Sequence, residues 1–163
     1  MKFLAFAAAA AALAAMATPA LAQDVSSGPW YAGLGYTHYD TDRGDLGGVT
    51  GRLGYHFNQY LGAEAEYTGG VSDDTFGKLN NAWGAYAVGT LPVSSSLDVF
   101  GRVGYQELNI DGRNGAPDQD TSGAGYGAGV NWHVAGNLGI RGEYTRLSGA
   151  DADTWSLGGA LSF

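Results

Sequence analysis

The last ten residues of the chain, Thr154-Trp-Ser-Leu-Gly-Gly-Ala-Leu-Ser-Phe163, decide its fold. Trp155, Leu157, Leu161 and Phe163 occupy alternate positions, with small or polar residues between them. Because side chains alternate between the two faces of a β-strand, these four large residues share one face. A strand of about 9–11 residues with one apolar face is long enough to cross a bilayer. The ending therefore predicts a strand that is apolar on one side only.

The same period-two alternation recurs upstream as far as Trp30. Between Gly123 and Val134, for example, Ala, Tyr, Val and Trp alternate mostly with glycines. Helical periodicity is absent, and each of the 28 glycines would weaken a helix by about 1 kcal/mol. We therefore predict eight strands, at residues 30–39, 49–57, 61–68, 82–91, 97–106, 123–134, 138–145 and 154–163.

The connections between these strands alternate in length, which indicates how the strands are arranged. The short turns are residues 58–60, 92–96 and 135–137, and the mostly longer loops, rich in Asp and Gly, are residues 40–48, 69–81, 109–121 and 148–152. Short turns on one side and long loops on the other are typical of outer-membrane barrels. The odd length of the 92–96 turn predicts that Leu91 pairs with Leu97. That register puts Trp83 on the apolar face of the fourth strand and Tyr86 on the opposite face.

The charged residues within the strands favour a barrel in lipid over a soluble one. Six of them lie on the faces opposite the apolar residues: Arg52, Glu64, Glu66, Arg102, Arg141 and Glu143. A soluble barrel of the lipocalin kind would place charges outside and apolar residues inside. A narrow eight-stranded lumen, in contrast, has room for small residues and a few charged ones. We therefore predict an all-β fold, an eight-stranded antiparallel up-and-down transmembrane β-barrel.

Aromatic residues on the apolar faces fit the same arrangement. They fall mostly near the ends of the predicted strands, where a transmembrane barrel carries aromatic girdles at the two bilayer interfaces. The predicted girdle residues are Trp30, Tyr36, Tyr55, Phe57, Tyr67, Trp83, Tyr105, Tyr126, Trp132, Tyr144 and Trp155. We expect outer-membrane lipid to contact them.

The first 22 residues are expected to be a secretory signal peptide rather than part of the barrel. Lys2 precedes an Ala-rich apolar stretch, and Ala20-Leu21-Ala22 provides a cleavage site before Gln23. The alternative is an N-terminal membrane anchor, which the short apolar stretch disfavours. We expect Sec-type export, a signal segment at 1–22 and a barrel domain at 23–163.

The composition excludes several classes of function. The chain has no cysteine, which rules out disulfides and Cys-ligated metals. Its net charge is −8 and its basic residues do not cluster, so nucleic-acid binding is not expected. Its histidines, His38, His56 and His133, have no neighbouring serine that suggests a nucleophile. We expect no enzymatic activity, no cofactor and no metal site.

The heights of the six strand charges above the short turns suggest a closed lumen. Arg52, Glu66, Arg102 and Glu143 each lie five residues from a turn-flanking residue, and Glu64 and Arg141 lie three residues from one. Counted this way, two layers each sum to zero charge. The turn at 58–60 also pairs Phe57 with Leu61, so that Arg52 faces Glu66. We predict a plug of internal ion pairs, with a gated narrow pore lined by the same residues as the alternative.

The long loops are acidic, and their role has two interpretations. Their carboxylates belong to Asp40, Asp42, Asp45, Asp73, Asp74, Asp111, Asp118, Asp120, Asp151 and Asp153. Such loops are usually solvated turns. The functional alternatives are divalent-cation bridging to lipopolysaccharide phosphates, or contact with a host surface.

Five segments give the chain a resemblance to a known family, the opacity-protein and OmpA-type outer-membrane β-barrels. They are Trp30-Tyr-Ala-Gly-Leu-Gly-Tyr36, Gly51-Arg-Leu-Gly-Tyr-His-Phe57, Leu61-Gly-Ala-Glu-Ala-Glu-Tyr67, Asp98-Val-Phe-Gly-Arg-Val-Gly-Tyr105 and Ser156-Leu-Gly-Gly-Ala-Leu-Ser-Phe163. The likeness spans residues 23–163.

The resemblance implies insertion by the outer-membrane assembly machinery, which reads a terminal aromatic residue and apolar residues at alternate positions before it. Trp155, Leu157, Leu161 and Phe163 match that signal, and Gly159 departs from it. No peptidoglycan-binding domain is expected after the barrel, and the protein is expected to be a monomer. The sequence thus favours a structural or surface-interaction protein of the Gram-negative envelope, with a narrow porin-like channel as the alternative.

Overall fold

The computed structural model describes residues 28–41, 44–72, 77–112, 119–149 and 152–163. The expected signal segment at 1–22 lies outside these residues. The strands are β1 (Trp30–Thr41), β2 (Gly44–His56), β3 (Leu61–Ser72), β4 (Gly77–Ser94), β5 (Leu97–Gly112), β6 (Gln119–Ala135), β7 (Leu138–Leu147) and β8 (Ala152–Ser162). Nowhere in the described ranges does a helix have the length and apolar character needed to cross a membrane.

The eight strands form one closed barrel in which each strand pairs antiparallel with its neighbours in sequence, and β1 closes on β8. A free sheet edge would expose unpaired backbone groups to the hydrocarbon of a bilayer, and closure of the barrel removes such edges. The predicted eight-stranded antiparallel up-and-down barrel is therefore confirmed.

The connection between β4 and β5 differs from its prediction. Leu91 pairs with Val99, and Leu97 pairs with Ser94, so the predicted pairing of Leu91 with Leu97 is wrong. A bulge-like shift before Ser94 shortens the turn and absorbs the difference. Leu97 and Val99 occupy the same face of β5, and the shift therefore leaves the faces of β4 unchanged.

The faces of β4 are as predicted. Trp83 is 44 % exposed on the outer wall, whereas Tyr86 is 3 % exposed in the lumen. Val88, the next residue on the same face as Tyr86, is also buried.

The strands extend further towards the long loops than predicted. β1 and β2 pair as far as Thr41 and Gly44, and β5 and β6 pair as far as Ile110 and Gln119. The predicted loop bounds at 40–48, 69–81, 109–121 and 148–152 are therefore too wide. The physical reason is that apolar side chains continue the inward alternation into these segments and pack together inside the barrel.

Candidate functional site in the barrel lumen

Six charged side chains converge in the lumen, and we name them the charge cluster: Arg52, Glu64, Glu66, Arg102, Arg141 and Glu143. Arg102 donates from Nη1 to Glu66 Oε2 at 3.0 Å and from Nη2 to Oε1 at 2.8 Å. Arg141 donates from Nη1 and Nη2 to the two carboxylate oxygens of Glu64, at 2.5 and 3.1 Å. These bidentate pairs match the planar fork of the guanidinium.

The two predicted layers of charge are joined into a single cluster. Glu143 accepts from Arg102 Nη1 and from Arg141 Nε, both at 2.9 Å, and also from Arg52. Arg52 is the register partner of Glu66, as the 58–60 turn predicts, and donates to it at 3.0 Å. The two layers meet because Glu143 accepts from Arg141 of the lower layer as well as from Arg52 and Arg102 of its own layer.

Aromatic side chains support the cluster on its periphery. The guanidinium carbon of Arg102 lies 3.5 Å from the ring centre of Tyr86, and that of Arg141 lies 3.8 Å from the ring centre of Phe100. The Tyr31 hydroxyl donates to Glu64. Cation–π contacts of this kind are strengthened when the cation is withdrawn from water. The charged groups are thus held in fixed positions by both ion pairs and rings.

A layer of hydroxyl and amide groups lies next to the cluster on the side of the long loops. Thr50 Oγ1 is 2.6 Å from Thr37 Oγ1 and 2.7 Å from Thr68 Oγ1. Gln106 donates to the Tyr39 hydroxyl at 3.0 Å and accepts from Tyr86 at 2.7 Å. These bonds run between β1, β2, β3, β4 and β5 and satisfy polar groups that face each other across the narrow interior.

The loop end of the lumen is filled by a buried apolar layer, which we name the apolar cap. Its members are Tyr39, Leu46, Leu79, Ala82, Leu108, Leu147 and Ala152, with Ile110 packed against it. The cap was not predicted from the sequence, because its residues lie beyond the predicted strand ends or at their terminal position. The signal was nevertheless present, since the inward alternation through Arg102 and Gln106 continues to Leu108.

The turn end of the lumen is polar. Asp98 Oδ2 lies 2.7 Å from His133 Nε2, and the His56 ring packs against the Tyr31 ring with centres 4.7 Å apart and planes tilted by 32°. His38 lies elsewhere, on the outer wall, with Nε2 at 3.9 Å from Asp45 Oδ1. In the part of the chain that is described, no three His, Cys, Asp or Glu side chains are grouped in a way that could hold a metal ion.

The structure places all eleven predicted girdle residues on the outer wall, in two belts. Those near the short turns are Trp30, Tyr55, Phe57 and Trp132, and those nearer the loops are Tyr36, Tyr67, Trp83, Tyr105, Tyr126, Tyr144 and Trp155. Ring contacts occur within each belt, between Trp30 and Tyr55 at 4.8 Å and between Tyr144 and Trp155 at 4.7 Å.

The sequence suggested that the aromatic residues lie near the strand ends, but the belt nearer the loops does not mark the ends of its strands. β4, β5 and β6 continue well beyond Trp83, Tyr105 and Tyr126. Above this belt the outer face becomes polar, with Glu107 and Ser122 directly paired. These strands therefore extend past the aromatic belt into a polar surrounding.

The acidic loops are described in part. Asp40, Asp45, Asp111 and Asp120 are exposed at the loop ends of strands, and Asp153 accepts from Arg146 at 2.9 Å. The remaining loop carboxylates, those of Asp42, Asp73, Asp74, Asp118 and Asp151, lie outside the described residues.

Three residues of the predicted assembly signal lie on the outer face of β8, and the fourth, Phe163, directly follows this strand. Trp155, Leu157 and Phe163 are about half exposed, and Leu161 is partly exposed. The Phe163 backbone N–H donates to the Trp30 carbonyl at 2.8 Å, which fixes the chain end beside β1.

Known structures share this fold. The N-terminal barrel of OprF from Pseudomonas aeruginosa has a TM-score of 0.66 at 18 % identity, covering 85 % of this chain and 100 % of that one. OprG from Pseudomonas aeruginosa has a TM-score of 0.64 at 11 % identity, covering 84 % of this chain and 97 % of OprG. Ail of Yersinia pestis, in complex with the heparin analogue sucrose octasulfate, has a TM-score of 0.61 at 17 % identity. The match covers 82 % of this chain and 97 % of Ail. At these identities the likeness concerns the fold alone.

Sequence comparison identifies the family. No curated protein matches this chain in sequence. The family described as outer membrane protein beta-barrel domain, however, matches residues 8–163, which is nearly the whole chain. Together with the closed eight-stranded barrel, this match shows that the chain belongs to the outer membrane protein beta-barrel family and is a transmembrane barrel of the bacterial outer membrane.

Proposed function

We propose that this protein is a closed barrel with a structural and surface-interaction role, and that it does not conduct solutes. The observation that carries the proposal is the stacking of two barriers in one lumen. The charge cluster fills one level, and the apolar cap fills the level towards the loops. A hydrated ion would have to separate buried ion pairs and then cross a buried apolar layer, and both steps are unfavourable.

The charge balance of the cluster supports the same proposal. The positive charges of its three Arg side chains balance the negative charges of its three Glu side chains. Each of these side chains is at most 9 % exposed. Pores that select ions with charged side chains line the ion path with a ring of side chains of one sign. Here each of the six charged groups forms an ion pair with at least one group of opposite sign, although Nε of Arg52 and Nε of Arg102 have no hydrogen-bond acceptor.

The surface role is supported by the length of β4, β5 and β6. These strands continue past the aromatic belt and place their loops away from the apolar part of the wall. Ail binds sucrose octasulfate, a polyanion. The described loop ends of this chain carry exposed carboxylates at Asp40, Asp45, Asp111 and Asp120, which repel an anionic partner unless cations lie between the two. We propose lipopolysaccharide as the partner, with divalent cations bridging its phosphates to these loops.

Conductance across a planar bilayer tests the closed lumen. The full chain without residues 1–22 is refolded, inserted and recorded under an applied voltage. We expect no single-channel events. Events whose conductance changes in Arg102→Ala or Glu66→Ala, but not in the outer-wall control Arg146→Ala, would instead support the narrow channel.

A further inference from the structure

A groove of about 510 Å³ opens on the outer wall of the barrel. Most of its lining belongs to two neighbouring rows of paired residues that run across β6, β7, β8 and β1, and Gly129, Glu143 and Ser156 complete it. One row is Val130, Gly142, Leu157 and Tyr36, and the next row towards the loops is Ala128, Tyr144, Trp155 and His38. Gly142 has no side chain and Ala128 has a small one. The larger side chains around them, among them Tyr144, Trp155 and Leu157, project further from the wall and enclose the groove.

The groove lies at the depth of the loop-side aromatic belt, because Tyr36, Tyr144 and Trp155 belong to both. Its position fixes the surrounding medium as the hydrocarbon of the outer leaflet, just below the interface. A space of this kind in a membrane is filled either by an acyl chain or by a side chain of another protein.

The row above the groove changes abruptly in character. The next paired residues towards the loops are Tyr126, Arg146, Asp153 and Asp40. The Tyr144 hydroxyl donates to Asp153 at 2.6 Å, so the boundary between apolar and polar surface falls at this ring. An apolar groove that ends in a charged row matches a molecule with an apolar tail and a charged head.

We propose that this groove holds one acyl chain of lipid A, with the lipid A headgroup at the Arg146–Asp153 row. The outer leaflet of this membrane is built from lipopolysaccharide, and the groove opens at that level. A second copy of the barrel fits less well, because its convex wall would rest on Trp155 and Tyr144 and leave the floor at Gly142 empty. The inference rests on the proposed lipopolysaccharide partner and names where that partner is bound.

Filling the floor of the groove tests the proposal. Among residues not adjacent in the chain, the nearest neighbour of a Cβ added at Gly142 would be Leu157 Cδ1 at 3.9 Å, so the wall has room for Gly142→Leu, whose side chain would occupy the groove. Gly89→Leu is the matched control, because Gly89 faces outward on β4 with nothing within 4 Å. Ala128→Leu, with Ala87→Leu as its control, gives a second pair that does not depend on the glycine.

The measurement is the midpoint temperature of the heat-dependent gel shift of refolded protein in detergent containing Mg²⁺, with and without lipid A. We expect lipid A to raise the midpoint of the wild type and of both controls, and this rise to be lost in Gly142→Leu and Ala128→Leu. An equal rise in the groove variants, or no rise in the wild type, would overturn the proposal. A groove-dependent rise of equal size with phosphatidylethanolamine would overturn the assignment to lipid A. None of these outcomes bears on conductance, so failure of the groove and failure of the closed lumen are separable.

Discussion

Arg102 on β5 and Glu66 on β3 form a two-pronged ion pair across the lumen, with N–O distances of 2.8 and 3.0 Å, although β4 lies between their strands. Glu66 on β3 pairs with Gly84 on β4, and Gly84 pairs with Gln106 on β5. Strand pairing aligns Glu66 with Gln106 and not with Arg102. The contact therefore arises from the closed, tilted barrel and not from strand pairing. The ion pair links two strands that are not adjacent in the barrel.

Removal of one partner from the cluster is expected to destabilise the barrel strongly. Arg102→Ala leaves the carboxylates of Glu66 and Glu143 buried with less compensation, and we expect the free energy of unfolding to fall by about 3–5 kcal/mol. The measurement is urea-induced unfolding in lipid vesicles. The control is Arg146→Ala, whose ion pair is about one-third exposed and is expected to contribute less than about 1 kcal/mol. Equal losses for the two variants would contradict the role of the cluster.

The apolar cap is expected to behave as a packed core. Leu108 and Leu79 are 1 % and 0 % exposed inside the barrel. Truncation of either residue to Ala leaves a cavity, and we expect a loss of about 2–5 kcal/mol in the free energy of unfolding. Leu108→Ile keeps the volume and should lose less than about 1.5 kcal/mol. A loss below that limit for Leu108→Ala would show that the loop end of the lumen is loosely packed.

Inward glycines allow neighbouring strands to approach, and Gly104 gives the clearest case. A Cβ at this position would lie 2.7 Å from the Tyr86 Cα and would also collide with the Ala85 carbonyl, both of which are backbone atoms. We expect Gly104→Ala to lose about 1–3 kcal/mol by overpacking. Gly51, on the outer face with nothing within 4 Å, provides the control variant Gly51→Ala. Refolding yield and urea midpoint should fall only in the Gly104 variant.

The chain ending is expected to act during assembly more than in the finished barrel. Phe163 is 51 % exposed, and its backbone bond to Trp30 does not need the ring. We propose that Phe163→Ala reduces the folded protein recovered from the outer membrane of cells, while refolding of the purified protein in detergent proceeds normally. Phe57→Ala, at another exposed aromatic residue near the turns, is the control. A similar reduction in both variants would argue against a terminal recognition signal.

The sequence alone determined the fold and the two faces of its wall. Alternation such as that of Trp155, Leu157 and Phe163 against small residues can be read directly, because the side-chain period of a strand is two. Counting from the short turns also placed Arg102 and Glu66 at a common height, since those turns all lie at one end of the barrel.

Only the tertiary structure decided how far the strands run and what meets inside. The bulge before Ser94 changed the pairing of Leu91, and strand pairing beyond Gln106 buried Leu108 in a cap that lies past the predicted strand end. Closure of the barrel then joined the two predicted layers of charge through Glu143. The physical reason is that the tilt and stagger of eight strands set which inward side chains share a level, and these are properties of the closed sheet as a whole.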